Sequence, residues 1–339
     1  MQVFSRQFAT MVEAGLNIVA SLVILEQQTD VPYLAQVIAE LRADVEGGLL
    51  LSQAMARHPK VFDDLYVSMV QAGEASGMLD NVLDRVADQI EKATKLKRRV
   101  KGAMVYPTVV FTFASLVLVA MLMFIVPIFA KIFTDLHGQL PLLTRVVVGA
   151  SNLLRDRWYI VFPVIGFTIW GALRYKKTES GRQKWDRFKL HAPVKIGDVV
   201  LKVTMARLLR TLATLVAAGV DIIKALDIAG STAGNYLVEK ALAEARIKVQ
   251  EGVPIAEPLT ANPIFPPMVS QMVRIGEETG ELEQMLSKIA DFYEDEVDNA
   301  VANLTALMEP MVILLLGGVI GGLVISMYLP IFKLGSVLS

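Results

Sequence analysis

The chain has 339 residues, 54% of them apolar and 20% charged, and its mean hydropathy of +0.49 is too high for an ordinary soluble protein of this size. A formal net charge of −1 argues against a broad polyanion-binding surface, and so against nucleic acid as a direct ligand. The absence of cysteine excludes disulfides, thiol nucleophiles and thiolate metal sites.

The opening stretch, MQVFSRQFATMVEAG, mixes charged with apolar positions and has no uninterrupted hydrophobic core. It is not a secretory signal peptide, and the N-terminus is expected in the cytoplasm. Phe4, Phe8, Met11, Val12, Leu16 and Val19 recur at helical spacing and predict one core-facing stripe. TDVP, EGG and RHPKVF punctuate the helices that follow, and strand signals are nearly absent. The expected fold class is all-α, with a first cytoplasmic helical bundle over residues 1–102.

Residues 103–126 carry no charge and are long enough for a first transmembrane helix, which takes about 20 apolar residues. Lys92, Lys95, Lys97, Arg98, Arg99 and Lys101 crowd its approach and place that flank in the cytoplasm. Residues 127–157 then form an external loop. Within it, LPLLTRVVVGASNLLRDR has apolar residues at helical spacing with Arg145, Arg155 and Arg157 interspersed. That pattern fits either a helix lying at the outer membrane face or a loosely structured stretch. A second span is expected at 158–175, short, interrupted by Pro163 and bearing aromatic residues at both ends. Arg174, Lys176, Lys177, Arg182 and Lys184 return the chain to the cytoplasm.

A second bundle is expected over residues 176–309, with Leu208, Leu212, Leu215, Val216, Val220 and Ile223 as its stripe and STAGN, EGVP and NPIFPP as its breaks. The third span, 310–330, is uncharged from Met311 to Leu329. Its approach is acidic (Asp291, Glu294, Asp295, Glu296, Asp298), so its orientation rests on alternation alone: in, out, in, then out for the tail 331–339. Gly317 with Gly321 and Gly318 with Gly322 form two overlapping G-x-x-x-G patterns, suited to close helix packing within the monomer or to self-association.

The two halves repeat. FATMVEAGLNI, Phe8 to Ile18, matches LATLVAAGVDI, Leu212 to Ile222, at an offset of 212 − 8 = 204, as Gly48 matches Gly252 and Pro59 matches Pro263. After one deletion the offset becomes 203 and holds for Phe62 with Phe265, Leu79 with Leu282, Pro107 with Pro310, and Pro127-Ile-Phe with Pro330-Ile-Phe. Each repeat thus reads as a helical unit feeding a membrane span, with the second span as the connector that lets both units lie on one side.

The repeat also duplicates a Gly-Glu-x-x-Gly break, in QAGEASGMLDNVL and RIGEETGELEQML. Gly73 and Gly276 are expected to end a helix that begins near Phe62 and Phe265, glycine relieving the left-handed strain of the cap. Gly77 and Gly280 complete the break, and the next helix starts within about one turn. Glu74, Glu277 and Glu278 fall in this junction near the N-terminal dipole of the following helix, where a carboxylate gains about 0.3 to 1 kcal/mol. Capping explains the glycines better than it explains Glu74 and Glu277, because Ser or Asp caps as well or better. Those two either hold the junction rigid or present it to a partner.

Enzymatic signatures are missing. No Gly-Lys dipeptide occurs, so there is no Walker A loop, and G-x-G-x-x-G, G-x-S-x-G and H-E-x-x-H are absent. His58, His137 and His191 have no second histidine at metal-ligand spacing, and DFYEDEVDN lacks the loop glycine of an EF-hand and reads as a solvated helix face. No cofactor and no metal are expected. A transporter or channel subunit is the rival class, but it normally places ionisable groups at membrane depth, where the three spans have none, Arg174 standing at the end of the second.

The duplicated AG(L/V)(N/D)I, GE(A/E)(S/T)G(M/E)L and (V/L)PIF, the Glu309-Pro310 pair and LPLLT at Leu140 to Thr144 resemble the PilC/GspF family, the inner-membrane platform protein of type IV pilus and type II secretion machines. The resemblance covers essentially the whole chain. It implies a multi-pass inner-membrane protein without enzymatic activity that binds a hexameric assembly ATPase through its cytoplasmic units and acts on pilins or pseudopilins. Other inner-membrane components, membrane lipid and further copies of the chain are the remaining implied partners. Glu309 is then either an interfacial acid at a helix start, with Pro310 at the first helical position, or a contact to a pilin's charged N-terminal region. Family members usually carry a further segment ahead of the first repeat; here the repeat begins at about Val3, which leaves a short member or a truncated chain as alternatives.

Overall fold

A computed structural model describes residues 1–135, 142–176, 178–192 and 196–335. Among them there is helix and turn but no strand, as the all-α expectation requires. The chain divides into two compact units. Unit 1 joins Met1–Arg99 with Asp186–Ala300, so it takes in residues of both sequence repeats; unit 2 joins Val100–Trp185 with Val301–Ser339.

In the first repeat of unit 1, α1 (Gln2–Glu13), α2 (Ile18–Gln28), α3 (Pro32–Glu46), the short α4 (Leu51–Ala56) and α5 (Asp64–Ser76) lead into α6 (Leu79–Ala103). The stripe predicted as one face from Phe4 to Val19 is two helices. The chain leaves α1 through Gly15 at φ 85, and Asn17 starts α2 by accepting from the Ala20 N–H at 2.7 Å. AGLNI is therefore a turn with its own cap, and AGVDI repeats it with Gly219 at φ 75 and Asp221 accepting from Ile223 and Lys224. The core is aromatic at its centre: Phe4, Phe8, Phe62 and Tyr66 stack with centroids 5.3 to 5.9 Å apart, and all four are buried.

In chain order, unit 2 begins in the last turn of α6 and adds α7 (Val105–Ala120), a π turn at Met121–Ile125, α8 (Val126–Asp135), α9 (Leu142–Asp156) and α10 (Trp158–Tyr175); α11 (Glu179–Leu190) leads back to unit 1. The second repeat of unit 1 follows as α12 (Ile196–Ala217), α13 (Ile222–Thr232), α14 (Tyr236–Gln250), α15 (Ala256–Ala261), α16 (Pro267–Thr279) and α17 (Leu282–Gly335), whose last part belongs to unit 2.

Two helices among the described residues are long and apolar enough to cross a membrane, Leu79–Lys131 and Leu282–Ser326. They contain the first predicted span and most of the third. The second predicted span is the 18-residue α10, which runs through Pro163 instead of being interrupted by it. Phe111, Phe113, Phe167 and Leu314 stand exposed on these helices, an arrangement suited to lipid and not to water.

The described residues on either side of 136–141, after the first span, are helical. Over Leu142–Asp156 the loosely structured alternative is wrong: α9 packs on α8, α10 and the π turn. In the π turn the Val126 N–H bonds Met121 O and the next donor would be Pro127, which has no N–H, so Leu122 O lacks a backbone partner; the buried Ser151 Oγ donates to it at 2.5 Å. Thr144 Oγ1 donates likewise to Ser326 O on α17 at 2.5 Å. His137 and the start of LPLLT lie outside the described residues.

The chain enters the first membrane helix through a one-residue turn at Met104, which puts the buried Pro107 in the first turn of α7, where its missing N–H leaves no bond unmade. Pro310 differs. The expectation of a helix start there is overturned, because α17 is continuous from Leu282 to Gly335 and Pro310 lies inside it. The side chain of Glu309 lies outside the described residues.

Replacing Ser151 with Ala strands the Leu122 carbonyl in an apolar setting. The expected loss is about 1–3 kcal/mol, read as a lower thermal midpoint of the detergent-solubilised chain, with Ser151→Thr retaining more than Ser151→Ala.

Candidate functional site at the duplicated junction

The two Gly-Glu-x-x-Gly breaks are built alike, and not as the local rules imply. Gly73 and Gly276 do not end their helices. Both are buried within α5 and α16, and the caps are Gly77 at φ 71 and Gly280 at φ 75, where the left-handed backbone favours glycine. The Met78 N–H closes the first cap on Gly73 O at 3.0 Å.

Gly73 and Gly276 serve close approach instead. A Cβ on Gly73 would stand 3.0 Å from Val82 Cβ and 3.2 Å from Leu79 Cα; on Gly276 it would stand 2.9 Å from Leu282 Cα. The next helix therefore turns back directly across each glycine.

Glu74 and Glu277 also act at a distance. Helices α4 and α15 have no side-chain cap of their own, being preceded by Leu50 and Ile255. Glu74 supplies the missing acceptor to α4: the Leu51 N–H donates to Oε1 at 2.6 Å, the Ser52 N–H to Oε2 at 3.3 Å, and the Ser52 hydroxyl donates as well. Glu277 does the same for α15, accepting from the Ile255 N–H at 2.5 Å and the Ala256 N–H at 2.8 Å. The dipole served belongs to the helix before the junction, not after it. Glutamate's reach, one methylene beyond that of Asp, spans the gap between the helices. Glu278, whose repeat-1 counterpart is Ala75, is exposed and has no such role.

A second duplicated feature went unread in the sequence. Arg6 on α1 donates to Glu91 at 2.7 Å, to Asp84 at 2.6 Å and to Asp88, all on α6. Arg210 on α12 donates to Glu294 at 2.7 Å and to Asp291, both on α17. Arg6 and Arg210 stand at the offset of 204, and Asp88 with Asp291 and Glu91 with Glu294 at 203, so the repeat alignment held the signal. In each repeat the first helix is thereby tied to the last. Hydrogen bonds donated to Glu91 and Asp88 raise the pKa of Arg6, and the bond accepted from Arg6 holds Glu91 below the ordinary carboxylate range. Burial works against the charge of Arg210, but its bonds to Glu294 and Asp291 outweigh it and raise its pKa.

The acids of this flank are exposed or half-exposed, as a solvated face requires, and most are also paired. Besides Arg210's two partners, Glu296 receives Lys202 at 2.8 Å and Asp298 receives Arg99 of the first repeat. Arg85 reaches Glu283 at 3.2 Å, and buried Gln89 bonds Thr211 at 3.3 Å and Thr214 at 3.2 Å, so the repeats lock together within unit 1. Gly317, Gly318, Gly321 and Gly322 have nothing within 4 Å of an added Cβ, so a side chain at these positions would meet open space. No group of three or more His, Asp or Glu that could hold a metal occurs among the described residues.

Two helical segments that match in sequence at offsets of 204 and 203, each followed by a helix that includes a long apolar stretch, define a membrane protein with an internal sequence repeat. The family model described as "Type II secretion system (T2SS), protein F" matches the chain twice, over residues 4–127 and 208–330, which are the two repeats with their following helices. "Type IV pilus assembly protein PilC" of Thermus thermophilus is 48% identical over 100% of this chain and 83% of its own length, and the protein of the same name from Myxococcus xanthus is 45% identical over 98% and 79%. "Type II secretion system protein F" of Aeromonas hydrophila is 33% identical over 100% of this chain and 87% of its own length. The chain belongs to the type II secretion system protein F family, which includes the PilC proteins.

Removing Glu74 or Glu277 leaves buried helix-end donors without an acceptor. Each of Glu74→Ala and Glu277→Ala is expected to destabilise unit 1 by about 1–3 kcal/mol, and the effects should add because the sites belong to separate bundles. Urea unfolding monitored by the helical signal measures both; Glu→Asp, one methylene shorter, is expected to rescue little.

The α1–α6 tie has a pH sign. The folded pKa of Glu91 is depressed, so its stabilisation is present above the ordinary carboxylate range and is lost as pH falls through the lower folded value. Thermal midpoints taken from pH 7 to pH 3 are expected to fall on the acid side, and less steeply in Arg6→Gln, which lacks the clamp.

Proposed function

We propose that this chain is the inner-membrane platform of a type IV pilus or type II secretion machine. It acts without catalysis of its own, coupling a hexameric cytoplasmic ATPase to the extraction and polymerisation of pilin or pseudopilin subunits. The observation that supports it best is the duplication: two bundles in one compact unit, each continued by a helix of membrane length, over a chain similar throughout to proteins named for those two machines.

In this reading the chain crosses the inner membrane three times, with α10 as the middle span, the bundles in the cytoplasm and the end of α17 outside. The basic approach to the first span and the basic run after α10 support that orientation. The platform assembles with other inner-membrane components, with lipid and with further copies of itself. Glu74 and Glu277 keep each junction rigid, so that a push on a bundle reaches the helix that leaves it.

Deleting the gene is expected to abolish surface filaments or secretion, and to release the assembly ATPase from the membrane fraction. Complementation with the wild type restores both, and Glu74→Ala with Glu277→Ala restores them only in part. Filaments or secretion persisting in the deletion strain overturn the proposal.

A further inference from the structure

The two repeats of unit 1 are covered unequally. On α5, the residues Leu65, Ser68, Met69 and Ala72 lie at helical spacing, and the first three are buried, Leu65 to 9% exposure. This helix packs against α12 and α13 of the second repeat, where Lys224 donates to Gln71 at 2.8 Å. The counterparts on α16, 203 residues on, are Met268, Gln271, Met272 and Ile275. None of these is buried, and Met268 is 43% exposed. Gln89, 6% exposed through its bonds to Thr211 and Thr214, has as its counterpart Phe292, 42% exposed.

The other side of the same contact is open too. Leu215, Val220 and Ile228, on or between α12 and α13, are buried; their counterparts Met11, Leu16 and Ile24, 204 residues earlier, are all more exposed. The chain thus carries two versions of each half of one packing arrangement. It uses one pair internally and leaves the other two halves uncovered. The uncovered halves are more apolar than a solvated face requires, since Ile275 replaces Ala72 and Phe292 replaces Gln89.

We infer that a second copy of this chain covers the α16–α17 face, its α1–α2 face docking there as α12–α13 docks on α5 and α6 within one chain. The contact is head to tail: different surfaces of the two copies meet, and such contacts close into a ring when the rotation per copy allows. The internal contact supplies the expected neighbours. Gln89 with Thr214 becomes Phe292 with Thr10 of the second copy, and Gln71 with Lys224 becomes Arg274 with Ala20. This inference specifies the self-association proposed above but stands on the unequal burial of the repeats, so a non-secretory member of the family would assemble the same way.

The chain has no cysteine, which makes the test direct. Two differently tagged chains, one Thr10→Cys and the other Phe292→Cys, are co-expressed and treated in membranes with a short bis-maleimide. A product carrying both tags is expected, about tenfold above that from either variant alone and above a control pairing Tyr33→Cys with Phe292→Cys, the margin one well-buried contact gives. Ala20→Cys with Arg274→Cys repeats the test without removing Phe292. Adding Met268→Glu and Ile275→Glu to the Arg274→Cys chain should cut the mixed product about tenfold while the helical signal and melting stay unchanged. The inference is overturned by mixed yields no higher than the control from both pairs, by equal yield from a single variant, or by capture of a different polypeptide at position 274 in place of the chain itself.

Discussion

The close crossing at Gly73 and Gly276 is the constraint on which each repeat depends. With no Cβ there, the incoming helix passes within about 3 Å of the position a Cβ would occupy, and that fixes where α6 and α17 start. Everything nearby follows from the crossing. The left-handed caps at Gly77 and Gly280 reverse the chain within the space left, Glu74 and Glu277 anchor the reversal to α4 and α15, and the arginine of the first helix grips the outgoing helix two to three turns later. Removing any one of these loosens the helix at a different point along the same few turns.

The two copies have diverged in charge, and the divergence lets their flanks lie side by side. At an offset of 203, Lys92 and Lys95 in the first repeat become Asp295 and Asp298 in the second. Two like-charged flanks brought side by side would repel, whereas one basic and one acidic flank attract, and the structure uses this in Arg99 with Asp298. The same difference explains why the positive-inside rule orients the first span and is silent on the third: the acids before α17 serve pairing within unit 1. At the partly exposed pairs the gain per bridge is small, so the buried Gln89–Thr211 contact and the apolar packing around it set the strength of the joint, and the charges set its register.

Much of this was legible in the chain. The repeat, the all-helical class and the first and third apolar segments rest on periodicity and hydropathy, which are local and strong. The second segment's bounds coincide with α10 for the same reason, aromatic residues marking both ends. What failed was anything in which a side chain serves a backbone group far away in sequence. A capping rule looks three residues ahead; Glu74 acts 22 to 23 residues back, on a helix that begins with no cap of its own. Of two glycines in Gly-Glu-x-x-Gly, local rules take the first as the terminator, because they contain no information about Val82 and Leu79 folding back across it. The arginine clamps were visible in principle: the alignment that paired Gly73 with Gly276 also pairs Arg6, Asp88 and Glu91 with Arg210, Asp291 and Glu294. They were passed over because each charge, taken singly, reads as surface.

The two membrane-directed helices, alike at their bases, differ further on. Between α6 and α8 the first is interrupted by the turn at Met104 and the π turn at Met121–Ile125, while α17 continues unbroken through Pro310 to Gly335. A helix transmits displacement along its axis only while its hydrogen-bond ladder is continuous, and turns and π bulges are where that ladder gives way. The equivalent prolines make the contrast sharper, since Pro107 sits where a helix begins and Pro310 where none does. Pro310 has no N–H, so α17 too lacks one bond of its ladder, at Ala306 O, although the helix runs on. Two departures from regular α geometry in the first helix thus stand against one in the second, a difference the repeats reach through a few residues beyond the bundles.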